Sequence, residues 1–136
     1  MTEIVSAARK YLGVPFRHRG RSARFLDCVG LIVIAMRDSG REIHNDKPNY
    51  GREPHADGLR EQLQKEFGEP APDVRVGDVA LIAYNTEIPH HVGIIGNYLY
   101  GGFSLIHADG MVGKVVEHRI DANWQKMILE TYRNGE

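Results

Sequence analysis

The chain carries one cysteine and seven histidines. Cys28 stands in "FLDCVGLIVIAM" (Phe25–Met36), behind an aspartate and ahead of an apolar run. Asp27 is a good N-cap and Gly40 a good stop, so the spacing predicts a helix over 28–38 with the thiol in its first turn. Unpaired backbone N–H groups and the helix dipole favour an anion there. Both lower a thiol's pKa, and the same N–H groups can hold the oxyanion of a tetrahedral intermediate. The position suits a nucleophile, although a free cysteine is also a common small core residue.

A nucleophilic thiol needs a base, and the base needs a third group to orient its ring. His91 opens "HVGIIG" and His107 closes "FSLIHA". Neighbouring strands joined by a hairpin would set the two imidazoles side by side, both facing a helix packed on the sheet. Asp109 and Glu117 are the alternative candidates for the orienting group. Without the cysteine, each histidine reads better as a hydrogen-bonding residue at a strand end. Adjacent strand residues point to opposite faces, so His91 and not His90 should meet the thiol. No set of Cys and His at zinc spacing accompanies them, and neither metal nor cofactor is expected.

The positioning elements follow from the hydrophobic period. Ile4, Ala8 and Leu12 form one helical stripe over 2–12, ended by Gly13 and Pro15. The basic loop "FRHRGRSAR" (Phe16–Arg24) leads to the cysteine helix, which is apolar on every side and so should be buried. Residues 41–58 read as a long loop. Leu59, Leu63 and Phe67 mark a peripheral third helix ending at Gly68. From Val76 the period changes to short strand-like runs at 78–83, 91–96, 103–108, 113–120 and 127–133. Helices first and neighbouring strands second is an α+β pattern with an antiparallel sheet. Trp124 reads as a packing anchor.

The 136 residues make one domain's worth of chain, 1–136. A formal net charge of -1 argues against a general nucleic-acid binder, which needs surplus Lys and Arg. No apolar segment approaches the ~20 residues of a membrane span, and no signal-peptide run opens the chain, so synthesis in the cytoplasm without membrane insertion is expected. A lone cysteine fits a reducing compartment, or an extracellular protein that does without disulfides.

Five short motifs in order, "GVPF", "DCVGL", "GD" (Gly77–Asp78), "HVGII" and "IHA", resemble the NlpC-type papain-like cysteine peptidases of bacterial cell walls. The resemblance runs from about Ile4 to Trp124 and implies a papain-like core, with the cysteine helix packed on an antiparallel, barrel-like sheet. It implies Cys28 as nucleophile, His91 as base and His107 as the orienting ring, with thiol-dependent cleavage of peptidoglycan stem peptides and no cofactor. Asp27, Phe16, His18 and Arg19 would border the substrate. Two residues depart from the family pattern: its G-x-P-Y tyrosine is Phe16, and the serine after the cysteine is Val29. Two of three polar groups for a free stem-peptide amine are thereby lost. An apolar residue after the cysteine resembles the subgroup encoded with phage tails and gene-transfer agents, implying tail-tip partners and delivery to the wall by a virion. A tail-tip structural subunit with weak or no activity, and an acyltransferase on the same residues, are the alternatives.

Overall fold

A computed structural model describes residues 3–43, 58–84 and 89–134. The described residues form four helices and five strands in the order α1 (Glu3–Arg9), α2 (Cys28–Asp38), α3 (Gly58–Phe67), β1 (Val79–Ile82), β2 (His91–Asn97), β3 (Phe103–Asp109), β4 (Lys114–Arg119), α4 (Ala122–Met127) and β5 (Ile128–Tyr132). The α+β expectation holds. The sheet is antiparallel throughout, in the order β4-β3-β2-β1-β5. It stays open, with β4 and β5 as edges, so the barrel-like closure is not made.

Helix α2 spans the residues its end signals specify. The Asp27 carboxylate accepts from the Gly30 N–H at 2.7 Å, and the chain leaves through Gly40 at φ 89°. Leu31, Ile32, Ile34, Ala35 and Met36 are buried. Helix α1 is shorter than its stripe suggests. Beyond Arg9 the bonds tighten to i→i+3, as in Lys10 N–H to Ala7 and Tyr11 N–H to Ala8, and this rotates Leu12 out to solvent. Of the long loop expected over 41–58, residues 44–57 lie outside the described residues.

Period-2 alternation divides the sheet into two faces. Val79, Leu81, Val92, Ile94, Ile106 and Val115 join α1, α2 and α3 in the main core. Ala80, Ile82, Ile95 and Leu105 face the other way, and Trp124, Met127 and Ile128 cover them. Helix α4, which the strand-like pattern around it conceals, supplies that cover. Asp121 caps it by accepting from the Trp124 N–H at 3.0 Å. The aspartate of the "GD" motif is structural: Asp78 is buried and takes two 3.0 Å bonds from the guanidinium of Arg133, just after Tyr132.

Candidate active site

The loop before α2 is clamped to the helix. A Cβ at Gly30 would lie 2.0 Å from the Gly20 carbonyl oxygen, so only glycine lets the loop backbone cross the first turn of the helix. Arg19 is held at φ 67°, a costly conformation for a side-chain-bearing residue. Its N–H donates to Asp27 Oδ2 at 2.9 Å, and the Arg21 guanidinium donates to Oδ1 at 2.8 Å. Asp27 therefore does more than cap the helix: its buried carboxylate ties loop, helix and Arg21 together. Of the other expected substrate contacts, the Arg19 side chain is exposed, and His18 is half-buried in the same loop. The Phe16 ring packs against the β3–β4 turn at Gly110.

Cys28 is half-buried, and its sulfur lies against the backbone N–H groups of Val29 and Val92, the latter directly following His91. Burial, with the Asp27 carboxylate adding to it, nevertheless pushes the thiol up to about 12. This reverses the expectation of a lowered pKa. The helix-terminus argument counts the dipole and the N–H groups but omits the lost solvation and the neighbouring anion. The Cys28 N–H itself makes no hydrogen bond among the described residues and remains a donor at the helix N-terminus.

The two imidazoles meet as expected: His91 Nε2 and His107 Nδ1 are 2.7 Å apart, and both rings are buried. They do not face the helix layer. His91 pairs with Ile82, and His107 shares the parity of Leu105, so both rings lie on the sheet face covered by α4. The cysteine helix packs on the opposite face. Thiol and imidazole can approach each other only where β2 begins, at the end of the sheet. Tyr84, just beyond β1, marks this junction. Its ring centroid is 5.5 Å from that of His91, and burial raises its phenol pKa, with Asp109, and Cys28 when ionised, adding to the shift. Among the described residues no hydrogen bond joins Cys28 to His91.

Among the described residues neither carboxylate considered as an orienter is hydrogen-bonded to His91 or His107, although the Asp109 charge acts on His107. Glu117 points to the helix face, where Arg9 donates to it at 2.8 and 3.0 Å and Ser104 at 2.7 Å. Asp109 holds the β3–β4 turn by accepting from the Met111 N–H at 2.8 Å. A third histidine takes the place a carboxylate would fill. His118 Nε2 is 2.8 Å from His107 Nε2, and its Nδ1 is 2.9 Å from the Arg119 carbonyl oxygen. Trp124 lies against both rings, with centroids 5.2 Å from His107 and 4.7 Å from His118. Burial lowers both inner imidazoles, His107 to about 4 and His91 well below the ordinary value, so both are neutral at pH 7. Sequence reasoning missed Tyr84 and His118. His118 pairs with Leu105 across β3 and β4, and that register carries it to the His107 face. The alternation of "VVEHR" gives it one face or the other but not the partner.

Comparison with known proteins follows the same lines. The profile of the NlpC/P60 family matches residues 13–133. Among solved structures, the NlpC/p60 domain of the peptidoglycan hydrolase SagA superposes with a TM-score of 0.60 at 21% identity, over 96% of this chain and 95% of that one. A lipoprotein-like NLP/P60 protein of Staphylococcus aureus gives a TM-score of 0.63 at 22% identity, over 96% of this chain. This chain spans only 40% of that protein's length. An N-acetylmuramoyl-L-alanine amidase of Bacteroides uniformis gives 0.61 at 14% identity, over 96% of this chain and 97% of that one. A search of curated proteins found no match.

Proposed function

The chain belongs to the NlpC/P60 family, and we propose that it is a thiol hydrolase of peptidoglycan stem peptides. The observation that carries this reading is the hydrogen-bonded His91–His107 pair, with the Cys28 sulfur, at a capped helix N-terminus, against the N–H of Val92, the residue after His91. The similarity to structures described as a peptidoglycan hydrolase and an amidase supports the substrate class.

The electrostatics point to a neutral starting pair. With the thiol pushed up and the imidazole pushed down, Cys28 and His91 do not rest as thiolate and imidazolium. His91 instead acts as general base while the sulfur attacks. The thiol proton passes to His91 as the S–C bond forms, and the carbonyl electrons move to oxygen, where the Cys28 N–H donates to the oxyanion. On collapse the C–N bond breaks, and His91 returns its proton to the leaving amine. Water then adds to the thioester, His91 takes a proton from it, and the C–S bond breaks to release the acid and restore the thiol.

The family's amine-binding polar cluster is depleted here. Phe16 and Val29 lack its hydroxyls, and Asp27 is engaged by Gly30, Arg19 and Arg21. The substrate is accordingly stem peptide still joined to the wall, with no free N-terminal amine required. An enzyme carried on a phage tail and delivered to intact wall meets that substrate, and Val29 supports this setting. Incubation with purified peptidoglycan tests the activity: soluble products from the wild type and none from Cys28→Ala are expected. Absence of turnover on intact wall and free stem peptides alike would favour the structural tail-tip subunit.

A further inference from the structure

We propose that His118 is a positioning residue that dictates, through His107, which nitrogen of His91 carries the proton. The outer end of the histidine row sets the order of donors and acceptors. The Arg119 carbonyl oxygen can only accept, so His118 Nδ1, 2.9 Å away, must carry a hydrogen. A neutral imidazole holds one N–H, which leaves His118 Nε2 as an acceptor. His107 must then donate from Nε2 across 2.8 Å, leaving its Nδ1 as an acceptor. His91 in turn must donate from Nε2 across 2.7 Å. The remaining nitrogen, His91 Nδ1, is thus held without a proton, as a base that takes the thiol hydrogen requires. For three neutral rings this is the single arrangement that satisfies all three bonds.

The row runs from a buried end to a half-buried one. His91 and His107 are buried, while His118 reaches the rim of the sheet under Trp124. The histidine pair alone does not set its own polarity, because His107 could donate from either nitrogen. The backbone carbonyl next to His118 breaks that symmetry. His118 itself touches neither thiol nor substrate in this proposal, and its influence ends on the tautomer of His91.

The test replaces the acceptor at the end of the row. His118→Gln and His118→Glu retain an oxygen that can accept from His107 Nε2–H. His118→Lys offers only donors and forces the row to reverse, which puts a proton on His91 Nδ1. Ring 15N chemical shifts, read at pH 8 where ordinary imidazoles are neutral, distinguish the two tautomers. In the wild type His91 should show a protonated Nε2 and a bare Nδ1. In His118→Lys the assignment should invert, and kcat should fall about a hundredfold or more with KM little changed. His118→Gln and His118→Glu should keep the wild-type tautomer and most of kcat. The kinetic arm rests on the hydrolase reading, whereas the NMR arm does not and holds even for a chain without turnover. A wild-type His91 protonated at Nδ1 would overturn the proposal without any variant. An unchanged His91 tautomer in folded His118→Lys would also overturn it.

Discussion

Acidification is expected to weaken the fold well before its carboxylates titrate. His107 is fully buried and its pKa is lowered to about 4 from an ordinary 6.5, chiefly by lost solvation and secondarily by His118. Below pH 6.5 the unfolded chain binds a proton that the folded chain refuses, so stability falls as pH falls between 6.5 and about 4. Integrating that difference gives a loss of about 2 kcal/mol by pH 5 and about 3 kcal/mol by pH 4. His91 is shifted the same way by burial and adds to the loss. The window from pH 7 to 5 isolates the histidines, because Asp and Glu carboxylates start from 3.8 and 4.5. Urea denaturation followed by Trp124 fluorescence at intervals across that window measures the slope. His107→Gln, which cannot titrate, should reduce the slope to the part that His91 supplies. A wild-type midpoint that stays level from pH 7 to 5, or rises, would refute the burial argument for the pair.

Three further outcomes follow from the same geometry. Gly30→Ala places a Cβ 2.0 Å from the Gly20 carbonyl oxygen, so it should cost about 1–3 kcal/mol in thermal or urea unfolding and lower turnover by displacing the loop. Alkylation of Cys28 by iodoacetamide in the folded protein should keep accelerating above pH 9, because the thiol is pushed up to about 12; a plateau already reached near pH 6 would reveal a resting thiolate instead. Intact or crosslinked peptidoglycan should be cleaved at least as well as free stem tripeptides, and a strong preference for peptides with a free N-terminal amine would contradict the engaged state of Asp27.

The residues of the site differ in how far the sequence alone could locate them. Cys28 and its cap were legible because a helix has local end signals: an aspartate before the thiol, an apolar run behind it and Gly40 as the stop, and the Gly30 N–H bond to Asp27 matches them. His91 and His107 were legible as a pair, because each lies in a strand-like run and the runs are hairpin neighbours. The sheet face they occupy was not legible. Strands β2 and β3 are apolar on both faces, so alternation carried no inside or outside signal to choose between the helix layer and the α4 layer. Helix α4 has no buried residue of its own and is recognisable mainly by its Asp121 cap. His118 depends on the register of an edge strand, and Tyr84 on where the chain turns after β1; neither is a local property. The sign of the Cys28 shift required the burial and charge around it, which only the assembled fold supplies.

Covalent hydrolysis of peptidoglycan by Cys28 is tested most directly by mass spectrometry of the material released from purified sacculi by the wild type and by Cys28→Ala. Stem-peptide fragments bearing a new carboxylate, released by the wild type and missing with Cys28→Ala, are the predicted result. Equal release by both proteins, or none by the wild type, would contradict it.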